Sequence, residues 1–173
     1  MHALVVYESM FGDTEQVARA IAEGLSTRAV VRVVSVDGAP TPVPDTVDLV
    51  VVGGPTHAFG MSRPNTRSSA ARQDERAAGG TDRGVREWLA AAGPLHGRLA
   101  AAFDTHARTR LPGSAAGAID RRLRHLGARI VAPAHSFYVT GMQGPLDSGE
   151  RDRALRWGVD LAELAAAVPG RAG

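Results

Sequence analysis

Val47-Asp48-Leu49-Val50-Val51-Val52 is apolar at nearly every position and stops at Gly53-Gly54-Pro55. A strand with one wet face alternates apolar and polar residues, whereas a strand covered on both faces does not. The run therefore calls for a sheet with helices above and below it, as in parallel α/β proteins. Four more segments read as strands. Ala3-Leu4-Val5-Val6-Tyr7 and Val30-Val31-Arg32-Val33-Val34-Ser35-Val36 are rich in β-branched residues. Arg98 to Phe103 is weaker, because alanine is a poor strand former. Arg129-Ile130-Val131-Ala132 followed by Ser136-Phe137-Tyr138-Val139 makes a fifth, with Pro133 at a bend or an edge position.

Helical periods fill the intervals. Thr14 to Leu25 carries Val17, Ile21 and Leu25 on one stripe. Thr81-Asp82 can cap a helix through Ala92, with Val85, Trp88 and Leu89 inward and Gly93-Pro94 ending it. Ser114 to Leu126 and about Ser148 to Val168 are two more, and Trp88 and Trp157 sit at core spacing. Alternating strands and helices imply right-handed crossovers and a doubly wound parallel sheet with helices on both faces. Five strands fit the order 2-1-3-4-5, in which ligands bind at the carboxyl ends of strands one and three.

A chain of 173 residues, 44% hydrophobic and 22% charged, reads as a single domain over 1–173. No apolar run approaches the roughly 18 residues of a membrane span. The N-terminus enters a strand at once, without a signal-peptide core, so a cytoplasmic location is expected. The absence of cysteine excludes disulfides, thiol catalysis and cysteine-ligated metals, so redox chemistry would need a bound cofactor. There is no lysine, and six arginines run from Arg63 to Arg86 without an interleaved aromatic. That pattern suits a solvated loop better than a nucleic-acid site. No histidine–carboxylate cluster has metal-ligand spacing, and Ser9 has no paired base, so no catalytic residue and no metal site is assigned. His57 to Gly80 lacks an apolar period, although Ser62-Arg63-Pro64 could start a helix.

The ligand signal lies in Tyr7-Glu8-Ser9-Met10-Phe11-Gly12-Asp13-Thr14, between the first strand and the first helix. N–H groups at a helix start, aided by the helix dipole, hold anions. Ser9 and Thr14 add hydroxyls, and Gly12 permits close approach or φ > 0. The plainer reading is a strand-to-helix turn with Asp13 or Thr14 as N-cap. Two further loops should meet this one: Gly53-Gly54-Pro55-Thr56-His57-Ala58-Phe59-Gly60 and Asp104-Thr105-His106. A phosphate pocket flanked by loops with flat side chains suits a phosphorylated planar cofactor. His57, Phe59 and His106 could equally be loop residues, and Asp104 reads as a turn-former rather than an acid. Asp13 should point away from a phosphate or cap the helix, since like charges about 4 Å apart repel by roughly 1 kcal/mol even in water.

These residues resemble the flavodoxin-like superfamily of FMN-binding proteins over nearly the full chain. Flavodoxins carry Ser/Thr-x-Thr-Gly-x-Thr in the phosphate loop; Ser9, Gly12 and Thr14 match, and Phe11 replaces the middle threonine. Ser9-Met10-Phe11-Gly12 is also similar to the Ser-Met-Tyr-Gly of NAD(P)H:quinone oxidoreductases of this fold, and Pro55-Thr56 matches the Pro-Thr of the ring-lining loop. Gly53 to Gly60 and Gly144-Pro145-Leu146…Gly149-Glu150 resemble a flavodoxin-domain group from actinobacteria. Flavodoxins are themselves the type example of the 2-1-3-4-5 order, so the order and the resemblance are one argument.

The resemblance implies FMN held by Ser9, Met10, Phe11, Gly12, Asp13, Thr14, Pro55, Thr56, His57, Ala58, Phe59, Gly60, Asp104, Thr105 and His106. It implies an electron carrier or a small flavin reductase, NAD(P)H-dependent with Arg63 and Arg67 on the nicotinamide phosphate, acting on a small-molecule or protein redox partner. Flavodoxins are strongly acidic, and this chain at +2 is not, so exchange with a standard flavodoxin reductase is not expected. A monomer or homodimer is expected. The alternative is a flavin-free binding module that kept the fold, suggested by Phe11, by Asp13 and by ring-facing loops without tryptophan or tyrosine.

Overall fold

The computed structural model describes residues 1–57, 60–65, 83–108, 113–141 and 144–168. Its strands are β1 (His2–Tyr7), β2 (Val30–Ser35), β3 (Leu49–His57), β4 (Gly60–Met61), β5 (Leu99–Ala107), β6 (Arg129–Ile130) and β7 (His135–Val139). The helices among the described residues are α1 (Asp13–Leu25), α2 (Val85–Ala91), α3 (Ala115–His125) and α4 (Glu150–Ala167). The sheet runs β2-β1-β3-β5-β6, with β7 also beside β5 and β4 antiparallel to β3. β6 pairs with Leu99 and Ala100, and β7 with Phe103 to Ala107. They are therefore one edge strand interrupted around Pro133, which has no N–H to give the ladder. Counted this way, the expected order 2-1-3-4-5 is present.

Two cores follow from the two covered faces. On one face Val5, Val51 and Ala101 meet α1 and α4 through Val17, Ile21, Leu25, Trp157 and Leu161. On the other, Leu4, Val6, Val50 and Val52 meet α2 and α3 through Trp88, Leu89, Ile119 and Leu123. The uninterrupted valine run is thus apolar because neighbouring residues feed opposite cores. Alanines 100–102 are fully buried in β5, where packing overrides their weak strand propensity. At Gly53 a Cβ would stand 2.1 Å from Cζ of Phe103, so the glycine makes room for that ring. Phe103 in turn meets Phe137 and Trp157 edge to face at 6.3 and 6.4 Å.

Candidate functional site

β1 and β3 finish side by side, with Glu8 N–H donating to the Gly53 carbonyl at 3.0 Å. The chain then turns through Gly12, which caps α1 at φ 95° with no side-chain cap bond. Neither Asp13 nor Thr14 is the N-cap, contrary to the turn reading. Ser9 Oγ closes the loop by accepting from Gly12 N at 3.1 Å, and the left-handed residue this needs is a glycine. A Cβ on Gly12 would meet no described residue within 4 Å. The first N–H groups of α1 have no intrahelical acceptor, and Ser9, having accepted, keeps its proton to donate.

Met10 is buried and Phe11 half-buried. Thr14 is 2% exposed, and its hydroxyl bonds that of Thr105 at 2.7 Å, tying α1 to β5. Asp13, the first residue of α1, accepts from Leu146 N at 3.0 Å. Burial pushes its carboxyl above the usual range, against the opposing pull of the Leu146 N–H.

The stretches read as a second and third loop are largely strand. β3 continues through Pro55, Thr56 and His57, and β5 through Asp104, Thr105 and His106. Pro55 is tolerated for a geometric reason. Gly53 offers its carbonyl to the β1 side, Pro55 has the same parity, and β1 has already ended there, so the missing N–H leaves no ladder bond unmade. β4 returns along this end, Thr56 opposite Met61 and His57 opposite Gly60.

Asp104 is fully buried in β5 and is not a turn-former. Its Oδ2 accepts from Thr56 Oγ1 at 2.8 Å and from Ala116 N at 3.0 Å, while Thr56 Oγ1 accepts from Ala115 N at 2.8 Å. A carboxylate at the start of α3 is placed where the helix dipole favours it. Asp104 Oδ1 has no hydrogen-bond partner among the described residues. His106 is half-buried, stacks on Tyr138 at 5.4 Å, and among the described residues has no hydrogen-bond partner for either buried ring nitrogen. Arg108 lies 4.2 Å over the Tyr138 ring.

Ser9 to Thr14, Pro55, Thr56, Gly60, Asp104, Thr105 and His106 thus gather at the carboxyl edge of β1, β3 and β5. Ala58, Phe59, Arg67 and the expected cap Thr81-Asp82 lie outside the described residues, as does most of the stretch without an apolar period. Pro64 and Asn65 are helical and Arg63 is exposed.

Two features escaped the sequence. Glu8 is buried; its Oε1 accepts from Ser62 and its Oε2 from Val85 N at 2.8 Å, so one carboxylate ties the end of β4 to the start of α2. The only signal was an acidic residue directly after an apolar strand. The second is an edge cluster: Arg153 bonds Glu150 and lies 2.8 Å from His135 Nε2, and the His135 ring stacks on Trp157 at 5.2 Å. Burial, then Arg153, lowers the His135 pKa. Burial alone would raise Glu150, but Arg153 and the Tyr138 N–H outweigh it and hold that carboxyl below its usual value. Among the described residues no histidine–carboxylate group could hold a metal, and no helix is long and apolar enough to cross a membrane.

The flavodoxin family model matches residues 5–157. Among solved structures, a flavodoxin from the domain Archaea superposes with TM-score 0.70 at 23% identity, covering 96% of this chain and 99% of the other. Oxidised Flavodoxin 1 from Bacillus cereus gives 0.69 at 19%, covering 98% and 100%. Two-electron reduced flavodoxin from Megasphaera elsdenii gives 0.62 at 18%, covering 93% and 98%. No protein of curated function matches the sequence.

Proposed function

Because the chain belongs to the flavodoxin family, we propose that it binds FMN at the carboxyl edge of β1, β3 and β5 and serves as a redox protein. When bound, FMN supplies one- and two-electron transfer. The observation that carries the reading is the pairing of a glycine-capped anion loop with a half-buried imidazole whose ring nitrogens have no hydrogen-bond partner among the described residues. The Gly12 turn offers helix-start N–H groups and the Ser9 hydroxyl, a donor set that fits a phosphate without lysine or arginine. An imidazole ring has two hydrogen-bonding nitrogens, and those of His106 have no partner among the described residues, so a flat heterocycle with a hydrogen-bonding edge would give them one.

The hydroxyls divide by role. Ser9 is available to the phosphate. Thr56 is committed to Asp104 and Ala115 and supplies shape and rigidity instead. The Thr14–Thr105 bond keeps one proton free to donate, whichever residue accepts. Pro55 and the paired β3–β4 end would offer the ring a stiff wall, and Glu8 ties the end of β4 to the start of α2 beside them.

Electron carrier and small flavin reductase remain the two roles, with a small molecule or another protein as partner. The loop's likeness to quinone oxidoreductases and the exposed Arg63 support a reductase that takes hydride from NAD(P)H. Mixing FMN-loaded protein with NADPH and a quinone separates them: cofactor-dependent NADPH oxidation marks the reductase, and its absence marks the carrier. A flavin-free module has one observation in its favour, the internal commitment of Thr14, Thr56 and Asp104. It predicts colourless protein that takes up no added FMN.

A further inference from the structure

Resting on the FMN reading, we propose that Asp13 makes occupancy of the phosphate loop proton-coupled, so that a phosphate dianion and a proton on the Asp13 carboxyl enter together. Asp13 is the first residue of α1, adjacent to the Gly12 turn, and is 9% exposed. Its carboxylate is boxed in. Oδ1 accepts from Leu146 N, and a Cβ on Gly144 would lie 2.1 Å from Oδ2. Swinging the group into water would break the Leu146 N–H bond and leave a gap against Gly144, so the Gly144-Pro145-Leu146 turn holds the carboxyl where it is.

No cation compensates it among the described residues. Along the turn and α4, Asp147 pairs with Arg108 at 3.2 Å and Glu150 with Arg153. On α1, Glu15 holds Arg19 at 2.7 Å. At the strand ends, Glu8 and Asp104 are bound to backbone N–H groups and hydroxyls. Burial already favours the neutral acid at Asp13, and a dianion at the same helix end favours it further. The protonated acid also gains an O–H donor where the carboxylate had only acceptors. By linkage, a site that takes up a proton on binding has an affinity that falls as that proton becomes harder to supply.

The phosphate monoester has its own second pKa near 6, so pH dependence alone is ambiguous and a variant isolates Asp13. Asp13→Asn keeps a carbonyl for the Leu146 N–H and removes the charge. Wild type and D13N, freed of flavin, are titrated calorimetrically with FMN and with riboflavin, at about pH 6 and pH 8, in two buffers of different ionisation heat. The expected result is greater proton uptake by wild type on binding FMN. D13N should also bind FMN roughly five- to thirtyfold tighter at pH 8, from Coulomb repulsion of a dianion by a nearby carboxylate. Riboflavin should not distinguish the two proteins. Equal proton uptake and equal FMN affinity would overturn the role of Asp13. Failure of both proteins to bind FMN at either pH would instead overturn the FMN reading. Should D13N not fold, judged by circular dichroism, Asp13→Ser carries the same comparison.

Discussion

The Thr56–Asp104 pair joins three elements at the site, and Thr56→Val cuts it without changing side-chain shape. The valine cannot donate to Asp104 Oδ2 or accept from Ala115 N, both now at 2.8 Å. A hydrogen bond to a charged group contributes about 1.5–3 kcal/mol, and a buried N–H left unmade costs about 1–3 kcal/mol. Thr56 is only half-buried, so water can reach part of the gap and the lower half of that sum applies. The expected loss is about 2–4 kcal/mol, a large share of the roughly 5–15 kcal/mol that holds a domain together. Thr56→Ser keeps the oxygen and should lose only about 1 kcal/mol, one methyl group's worth. Urea unfolding measures both, with the slope unchanged if the two states keep their compactness. A T56V protein within about 0.5 kcal/mol of wild type, below what any such hydrogen bond contributes, would refute the reasoning.

Two more perturbations test the fold around the site. Gly53→Ala drives a Cβ into the buried Phe103 ring, which Phe137 and Trp157 prevent from yielding. Urea unfolding should show a loss of about 3 kcal/mol or an unfolded chain, whereas Gly60→Ala, with no described residue within 4 Å of its Cβ, should be nearly neutral. His135 has a lowered folded pKa, so as pH falls below the ordinary 6.5 the unfolded chain takes up the proton first. Its stabilisation is complete above about pH 6.5 and declines toward the depressed folded value; Glu150 adds a second loss at more acid pH, as pH drops through its lowered pKa. His135→Phe, which keeps a ring against Trp157, should flatten the first decline in a series of unfolding curves; an unchanged slope between pH 6.5 and 5 would count against it.

The sheet and the helical faces were legible because each strand's apolar pattern reports how many faces are covered, whereas the strand order came with the resemblance. The Val47–Val52 run needed no tertiary information. The ends of β3 and β5 did need it: backbone pairing between neighbours carries them past Gly53 and Phe103, and neither segment's own sequence encodes where its partner stops. The anion loop was legible through Ser9 and Gly12, whose bond spans three residues. The hydroxyls were not. Thr14 and Thr105 are 91 residues apart and Thr56 and Asp104 are 48 apart, so their engagement depends on strand register rather than on motif. Glu8 was missed for the same reason, its partners being Ser62 and the N-terminus of α2.

The most direct test of the central claim is a fluorescence titration of flavin-free protein with FMN and, in parallel, with riboflavin. The account predicts saturable quenching of FMN at one site per chain and distinctly weaker binding of riboflavin, which lacks the phosphate that the Gly12 loop would hold. Riboflavin bound as well as FMN would contradict the assignment of that loop, and no saturable binding of either would contradict the flavin site altogether.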